Sequence, residues 1–172
     1  DAIRADPALA ERWGQRKTDW LVGFTRELAG AAGRFTAPLK IARNLYAAPV
    51  LDSQARHWFA QSLPAFLRGY DYTALMAMPH MENAEDPARF LRALVDAVSA
   101  QPDGLARTVF ELQARDWRNG EAVPSAELVG WIRQLELAGA RHIGYYPDDA
   151  RADVPEMRPI VPAFSVRSLP QR

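Results

Sequence analysis

Two polar side chains interrupt a segment that otherwise has the composition of a buried β-strand. The segment TVFELQARDW (108–117) has a period of two that places Glu111 and Gln113 on one face with Val109. A carboxylate and an amide on an inward face need hydrogen-bond partners, exposure at a mouth, or a ligand whose hydroxyl or amine groups they hold. The alternative is an internal ion pair in which Lys40 neutralises Glu111. The segment alone leaves both open.

Two further segments place chemically useful groups after an apolar run. In MAMPHME, His80 and Glu82 follow the run and could act as a general acid or base. In GYYPDD, alternation places Tyr146 and Asp148 on one side, where an aromatic face and a carboxylate could meet a ligand. The alternative is that the tyrosines pack under helices while the aspartates cap the segment that follows.

Three more residues complete the set of candidates. Trp117 lies in the loop ARDWRNGE, where an exposed tryptophan could form a flat binding surface, whereas the other four tryptophans have helical spacing typical of a core. Asn44 and Lys40 share one face of the segment KIARN, so both are expected to point inward.

The elements that must position these residues alternate along the chain. Periodicity predicts a long first helix, then strand and helix three times, then a last strand, with strands around 39–42, 72–81, 108–114 and 141–149. The last twenty residues are predicted to be a tail that packs over the domain without an element of its own. This alternation favours a parallel sheet with helical crossovers, in which ligands bind at the carboxyl ends of the strands. Four strands are too few for a closed barrel, which needs eight, so the chain looks like half of a larger unit.

Composition excludes several classes of function. The 172 residues fit one domain, and 21 basic against 21 acidic residues give no net charge that would attract nucleic acid. No apolar run reaches the roughly 18 residues of a membrane-spanning helix, and no signal peptide opens the chain, although its abrupt start suggests that a leader has been removed. Zero cysteines exclude a disulfide scaffold. The three histidines lie in unrelated contexts, so neither a metal site nor a cofactor is predicted.

Several strings of the sequence resemble a known family. KIARNLYAAPVL, WFAQSLPAFLRGYDYTALMAMPHME, TVFELQARDW and GYYPDD are similar to the C-terminal domain of the poly-β-1,6-N-acetyl-D-glucosamine N-deacetylases, the PgaB/BpsB family. The resemblance implies a (β/α)8 TIM-like barrel that binds and hydrolyses partly deacetylated poly-N-acetylglucosamine, a biofilm exopolysaccharide, downstream of a metal-dependent deacetylase domain. Residues 1–164 would be the C-terminal half of this barrel, strands five to eight, and residues 165–172 a C-terminal tail. The family's acidic motif on an earlier strand has no counterpart here, so the principal catalytic acid is expected upstream of this chain.

The function implied by the resemblance is endo-acting glycoside hydrolysis in the periplasm. The partners would be the polysaccharide, the N-terminal half of the barrel and the deacetylase domain of the same parent, with outer-membrane association through a missing N-terminus left open. This chain alone is expected to be inactive. Glu111 and Glu82 are the weak catalytic candidates, and the expected substrate-binding residues are Lys40, Asn44, Glu111, Gln113, Trp117, Tyr146 and Asp148.

Two alternatives remain beside hydrolysis. The chain could be a non-catalytic carbohydrate-binding module that holds the polymer for the deacetylase. It could also be a proteolytic remnant without activity, whose exposed strand edges would favour aggregation. A half-barrel is therefore expected to have its first and last strands covered. A glycosidase also needs two carboxyl groups about 5–5.5 Å apart if retaining, or 6.5–9.5 Å if inverting, unless the substrate's own acetamide takes part.

Overall fold

The computed structural model describes residues 2–35 and 39–164. Its helices are α1 (Ala2–Ala5), α2 (Pro7–Ala32), α3 (Ala48–Leu51), α4 (Arg56–Phe59), α5 (Leu63–Gly69), α6 (Pro87–Ser99), α7 (Gly104–Arg107), α8 (Ser125–Leu137) and α9 (Met157–Ala163), with a 3₁₀-helix over Ser53–Ala55. Its strands are β1 (Ala42–Tyr46), β2 (Tyr72–Met76), β3 (Thr108–Gln113), β4 (Arg115–Asp116), β5 (Glu121–Ala122) and β6 (His142–Tyr146). The predicted alternation of helices and strands is confirmed.

Four strands form one sheet in the order β1-β2-β3-β6, and all of them run parallel. In the register, Tyr46 pairs with Met76, Met76 with Glu111, and Glu111 with Gly144. These four residues make one row across the sheet near the carboxyl ends of the strands. The predicted α/β class with a parallel sheet is therefore confirmed. The remaining strands, β4 and β5, form a short antiparallel hairpin that the sequence did not predict.

The two faces of the sheet differ because the side chains alternate along each strand. On the helix side, apolar strand residues are fully buried in one core with the inner faces of α6 and α8; the set comprises Leu45, Leu75, Phe110, Leu112, Leu91, Leu94, Val98, Leu128, Ile132 and Leu135. Each such side chain contributes roughly 1.5–3 kcal/mol when fully buried. On the opposite face, Asn44, Tyr46 and Tyr146 are exposed and Glu111 is only partly buried. We call this second side the open face.

The outer edge of β1 is capped at one point by a side chain. The Ile41 carbonyl accepts a hydrogen bond from the Tyr72 amide (3.1 Å), so the backbone N–H and C=O groups of the odd-numbered residues of β1 point towards β2. The backbone groups of the even-numbered residues point outward, where the Gln61 side chain accepts a hydrogen bond from the Tyr46 amide (2.9 Å) and donates one to the Asn44 carbonyl (3.4 Å). Gln61 thus occupies backbone groups that would otherwise be free to pair with another strand.

The outer edge of β6 lacks such a cap. The Tyr146 carbonyl accepts from the Ala114 amide (2.8 Å), so the backbone groups of Ile143 and Tyr145 point away from β3. Within residues 2–35 and 39–164, no hydrogen-bond partner reaches those outward groups. The expected covering of both edges is therefore met only by Gln61 on β1.

Several elements depart from the sequence prediction. The strands predicted over 72–81 and 141–149 are shorter, since β2 ends at Met76 and β6 at Tyr146. The first strand lies at Ala42–Tyr46 rather than around 39–42, because the Asp71 carboxylate accepts from the Ile41 amide (2.8 Å) and pairing with β2 starts only after Ile41. Part of the predicted C-terminal tail is helix α9, since Ile160 is fully buried in the core beside α8. The rest of that tail, 165–172, lies outside the described residues.

Candidate active site

A carboxylate that has no partner among the described residues lies on the open face. Glu111 is partly buried between Met76 of β2 and Gly144 of β6, and its side chain makes no hydrogen bond or ion pair with any described residue. Burial raises the pKa of the Glu111 carboxyl above its usual value. A raised pKa suits a carboxyl group that must donate a proton near neutral pH.

An aromatic pair lies beside this carboxylate. Trp117, in the β4–β5 hairpin, stacks on Tyr146 at the end of β6, with ring centroids 6.2 Å apart and an interplanar angle of 24°. The side chains are 43% and 55% exposed, respectively, so part of each ring is available to a ligand. Tyr146 pairs with Gln113, two residues beyond Glu111 on the neighbouring strand. From the spacing between strands and the rise per residue, the Cα atoms of Tyr146 and Glu111 are roughly 8 Å apart. We call Trp117 and Tyr146 the aromatic platform.

A second aromatic pair, which the sequence analysis missed, lies at the β1 side of the open face. The Tyr46 ring is 4.8 Å from that of Phe59, which follows β1 in α4, and both residues remain more than a third exposed. Tyr46 shares its face with Asn44, so the alternation that selected Asn44 would have found Tyr46 as well if the strand had been placed at 42–46.

Gln113 has a different role from the predicted one. Its side chain is 0% exposed, its Oε1 accepts from the His80 amide (2.9 Å) and the Met81 amide (3.0 Å), and its Nε2 donates to the Arg115 carbonyl (3.0 Å). The β2–α6 loop (residues 77–86) is thus fastened to the end of β3. Because the amide is enclosed and satisfied, Gln113 positions this loop rather than contacting a ligand.

The β2–α6 loop carries the second carboxyl candidate. Glu82 is partly buried, and burial raises the pKa of its carboxyl. Its side chain has no hydrogen bond or ion pair among the residues that the structure describes. His80, in the same loop, is engaged at both ring nitrogens, by Arg118 (3.2 Å) and Glu127 (3.2 Å), so it links elements and is not a free base.

The comparisons with known proteins decide the family. A family model described as hypothetical glycosyl hydrolase family 13 matches residues 1–146. This chain belongs to that family. The resemblance to the poly-N-acetylglucosamine N-deacetylases seen in the sequence is also confirmed.

The relatives of this glycosyl hydrolase family member are longer than the chain. It is 35% identical, over 175 residues, to the poly-beta-1,6-N-acetyl-D-glucosamine N-deacetylases of Escherichia coli K12 and O157:H7, covering 98% of this chain and 26% of each relative. A solved structure of the PgaB (BpsB) glycoside hydrolase domain from Bordetella bronchiseptica is 46% identical, with a TM-score of 0.89 over 97% of this chain and 48% of that chain. The chain thus spans about half of that solved chain and about a quarter of the curated relatives.

Lys40 lies at the opposite end of the sheet from Glu111, with which the sequence analysis considered an ion pair. It precedes β1 at the amino end of the sheet, exposed, with its Nζ 5.9 Å from the Tyr72 ring centre. Glu111 is level with Tyr46, six residues further along, or roughly 20 Å at about 3.3 Å per residue. The internal Lys40–Glu111 pair is therefore wrong, and Lys40 does not join the other candidates at the carboxyl ends. Asn44 lies on the open face as expected, exposed and level with Ala74.

Asp148 follows the end of β6 and is exposed. Burial raises the pKa of Tyr145, and the negative charge of Asp148 raises it further. Tyr145 points to the helix side, where its hydroxyl donates to the Met157 sulfur (3.2 Å). Asp148 therefore lies near Tyr145, and its expected grouping with Tyr146 stays a prediction.

Within the described residues, no cluster of three or more His, Cys, Asp or Glu side chains is arranged to hold a metal ion. No described helix is long and apolar enough to cross a membrane.

Proposed function

We propose that the chain is the C-terminal half of a (β/α)8-type glycoside hydrolase domain that binds partly deacetylated poly-β-1,6-N-acetylglucosamine and cleaves it within the polymer. The observation that carries the proposal is the aromatic platform beside Glu111, which no described residue pairs, at the carboxyl ends of a parallel sheet in a glycosyl hydrolase family member. The names of its relatives supply the substrate class.

The incomplete surroundings of the sheet support a half-barrel. The open face carries the polar residues Asn44 and Glu111 and, like the inner face of a barrel, lies on the side of the sheet away from α6 and α8. Among the described residues the outer edge of β6 lacks the cover expected of a half-barrel, and the preceding half would supply it. A closed barrel would continue the sheet at both edges and enclose this face. The solved relative has about as much chain again outside the match, which is the length that four more strand–helix units require.

Helix α2 supports the same conclusion. Its residues Gly14, Thr18 and Val22 are buried, while Trp20, Phe24 and Leu28 on another face are each more than half exposed. Contiguous exposed apolar side chains of this size mark a contact surface. Since α2 leads into the outer strand β1, we assign the contact to the preceding half of the barrel.

The candidate residues other than Lys40 and Gln113 each have a role in this proposal. Trp117 and Tyr146 would stack on the apolar faces of sugar rings, Asn44 would hydrogen-bond hydroxyl groups, and Asp148 would attract the amine of a deacetylated unit. Glu111, with its raised pKa, would donate a hydrogen bond or a proton to the sugar. The principal acid would come from the preceding half, with Glu82 as a further candidate in this chain.

A non-catalytic binding module is the second candidate function. It is favoured by the composition of the site, in which the aromatic platform is complete while two carboxylates of the neighbouring elements, Asp116 and Glu127, are already paired. Asp116 is held by Arg118 (2.6 Å), and Glu127 lies against His80 (3.2 Å). Under this alternative the polymer is retained for a deacetylase domain elsewhere in a periplasmic parent protein.

Mass-spectrometric product analysis separates the two functions. Partly deacetylated β-1,6-N-acetylglucosamine oligomers are incubated with this chain, with the full-length parent and with the parent carrying Glu111→Gln, and Glu85→Gln serves as the exposed control. Hydrolysis predicts shortened oligomers from the parent and its Glu85→Gln variant, but not from the chain alone. Binding without cleavage by the parent would establish the binding module instead.

A further inference from the structure

We propose that Arg118 is a positioning residue that holds the aromatic platform in place by joining the β4–β5 hairpin to the β2–α6 loop. The identity of the ligand in this inference rests on the proposed function. The arrangement of Arg118 itself can be tested without any ligand.

Within the hairpin, Arg118 forms a bidentate ion pair with Asp116, so the two residues that flank Trp117 are joined to each other. Its Nε donates to Asp116 Oδ1 (2.9 Å), its Nη2 donates to Asp116 Oδ2 (2.6 Å), and its amide donates to Asp116 Oδ1 (3.0 Å). These contacts lower the pKa of Asp116 to about 2, so the carboxylate stays charged near neutral pH. The backbone of Trp117 is therefore fixed on both sides by one bidentate ion pair.

The remaining donors of Arg118 reach the neighbouring loop. Nη1 donates to Asn83 Oδ1 (3.4 Å), and Nη2 lies 3.2 Å from His80 Nδ1. Since a guanidinium can only donate, Nδ1 of His80 is the acceptor and the other ring nitrogen carries the proton. That nitrogen lies 3.2 Å from Glu127 Oε1 in α8. One guanidinium thus connects the hairpin, the loop and, through His80, helix α8.

This connection matters because the Trp117 side chain is not fixed by burial. It is 43% exposed, and its described ring partner is Tyr146, which is itself 55% exposed. The placement of the ring therefore depends on the backbone that carries it, and a displacement near 1 Å can cost up to about a hundredfold in a binding or catalytic geometry. Arg118 joins both parts of the candidate site, the platform and the loop that carries Glu82, through its side chain, beside the link that the buried Gln113 amide makes from the end of β3.

The test combines Arg118→Lys with Trp117→Ala in a cycle of affinities for partly deacetylated β-1,6-glucosamine oligomers. Lysine keeps the charge but loses the planar fork of donors. Arg118→Lys is expected to weaken binding about threefold to tenfold, no more than Trp117→Ala itself does, and to change it less than about twofold when Trp117 is already alanine, because the effect acts through that ring. Arg115→Lys is the matched control, since Arg115 also lies in the hairpin but its side chain donates to the Gly120 carbonyl of the hairpin itself (2.6 Å).

A ligand-free readout covers the case in which the wild-type chain binds no oligomer. Nuclear Overhauser contacts between the Trp117 and Tyr146 rings are expected in the wild type and in Arg115→Lys, and are expected to be lost in Arg118→Lys. If wild-type binding is absent, the proposed function fails and these contacts alone decide the positioning role. If Arg118→Lys unfolds, Asn83→Ala combined with His80→Leu removes both side-chain acceptors of the loop and leaves the ion pair of Arg118 with Asp116 intact. Ring contacts that persist in the folded variant, or an equal loss of affinity with and without Trp117, would overturn the inference.

Discussion

Gln113→Leu tests whether the buried amide anchors the loop at the candidate site. Leucine approximates the volume of glutamine but removes hydrogen bonds to the His80 amide, the Met81 amide and the Arg115 carbonyl. Each bond contributes roughly 1 kcal/mol net, and a buried group left without a partner costs about 1–3 kcal/mol. The side chain is 0% exposed, whereas the loop is only partly buried and water can reach some of the released groups. We therefore expect a loss of about 3 kcal/mol in the free energy of unfolding.

Thermal and urea unfolding followed by circular dichroism measure this loss. For a chain of this size, about 3 kcal/mol corresponds to a decrease in melting temperature of roughly 6–12 °C. Gln54→Leu is the control, since Gln54 is exposed and the change should stay within about 0.5 kcal/mol. A loss below about 1 kcal/mol for Gln113→Leu would refute the conclusion that this amide holds the loop on the end of β3.

Three further predictions concern stability. Because burial raises the pKa of Glu111, the folded chain binds the Glu111 proton more tightly than the unfolded chain does, and stability falls as pH rises from the unfolded to the folded pKa of this group. Glu111→Gln should therefore raise the melting temperature at about pH 7 and have little effect near pH 3.5. A larger increase near pH 3.5 than at pH 7 would contradict this. The pKa of Asp116 is lowered from 3.8 to about 2, so its ion pair stabilises the fold above pH 3.8, and this contribution is lost as pH falls through about 2. Asp116→Asn should therefore lower the melting temperature at about pH 6 but not near pH 1.5. An equal decrease at both pH values would count against the ion pair. A Cβ at Gly104 would lie 2.0 Å from the Val98 carbonyl oxygen, whereas one at Gly130 would meet nothing within 4 Å. Gly104→Ala should therefore destabilise the fold, while Gly130→Ala, inside α8, should stabilise it by up to about 1 kcal/mol. Urea unfolding that finds Gly104→Ala the more stable variant would show that the packing around these glycines is different.

Local periodicity carried much of the fold and part of the site. Alternation along residues 108–117 placed Glu111 on the face opposite Phe110 and Leu112, and the segment order predicted the parallel sheet, because both depend on side-chain direction and short connections. The stack of Trp117 on Tyr146 was half foreseen: each was chosen as a ligand contact, but their pairing depends on a hairpin that the sequence did not reveal.

The errors came from contacts between distant parts of the chain. Gln113 has the right parity for a ligand contact, but a loop more than thirty residues earlier folds over it. Lys40 has the parity of Asn44, yet parity does not say at which end of the sheet a residue lies once the strand begins later than expected. Helix α9 was missed because its prolines disfavour a helix locally, whereas burial of Ile160 beside α8 stabilises it.

Isothermal titration calorimetry of partly deacetylated β-1,6-N-acetylglucosamine oligomers into the chain tests the central claim most directly. The wild type is compared with Trp117→Ala and with Trp20→Ala, which removes an exposed tryptophan of α2 away from the strand ends. We expect Trp117→Ala to weaken binding by about twofold to tenfold, since an aromatic contact contributes roughly 0.5–1.5 kcal/mol, and Trp20→Ala to leave it unchanged. No binding by the wild type, or equal losses in the two variants, would contradict a sugar-binding surface at the carboxyl ends of this sheet.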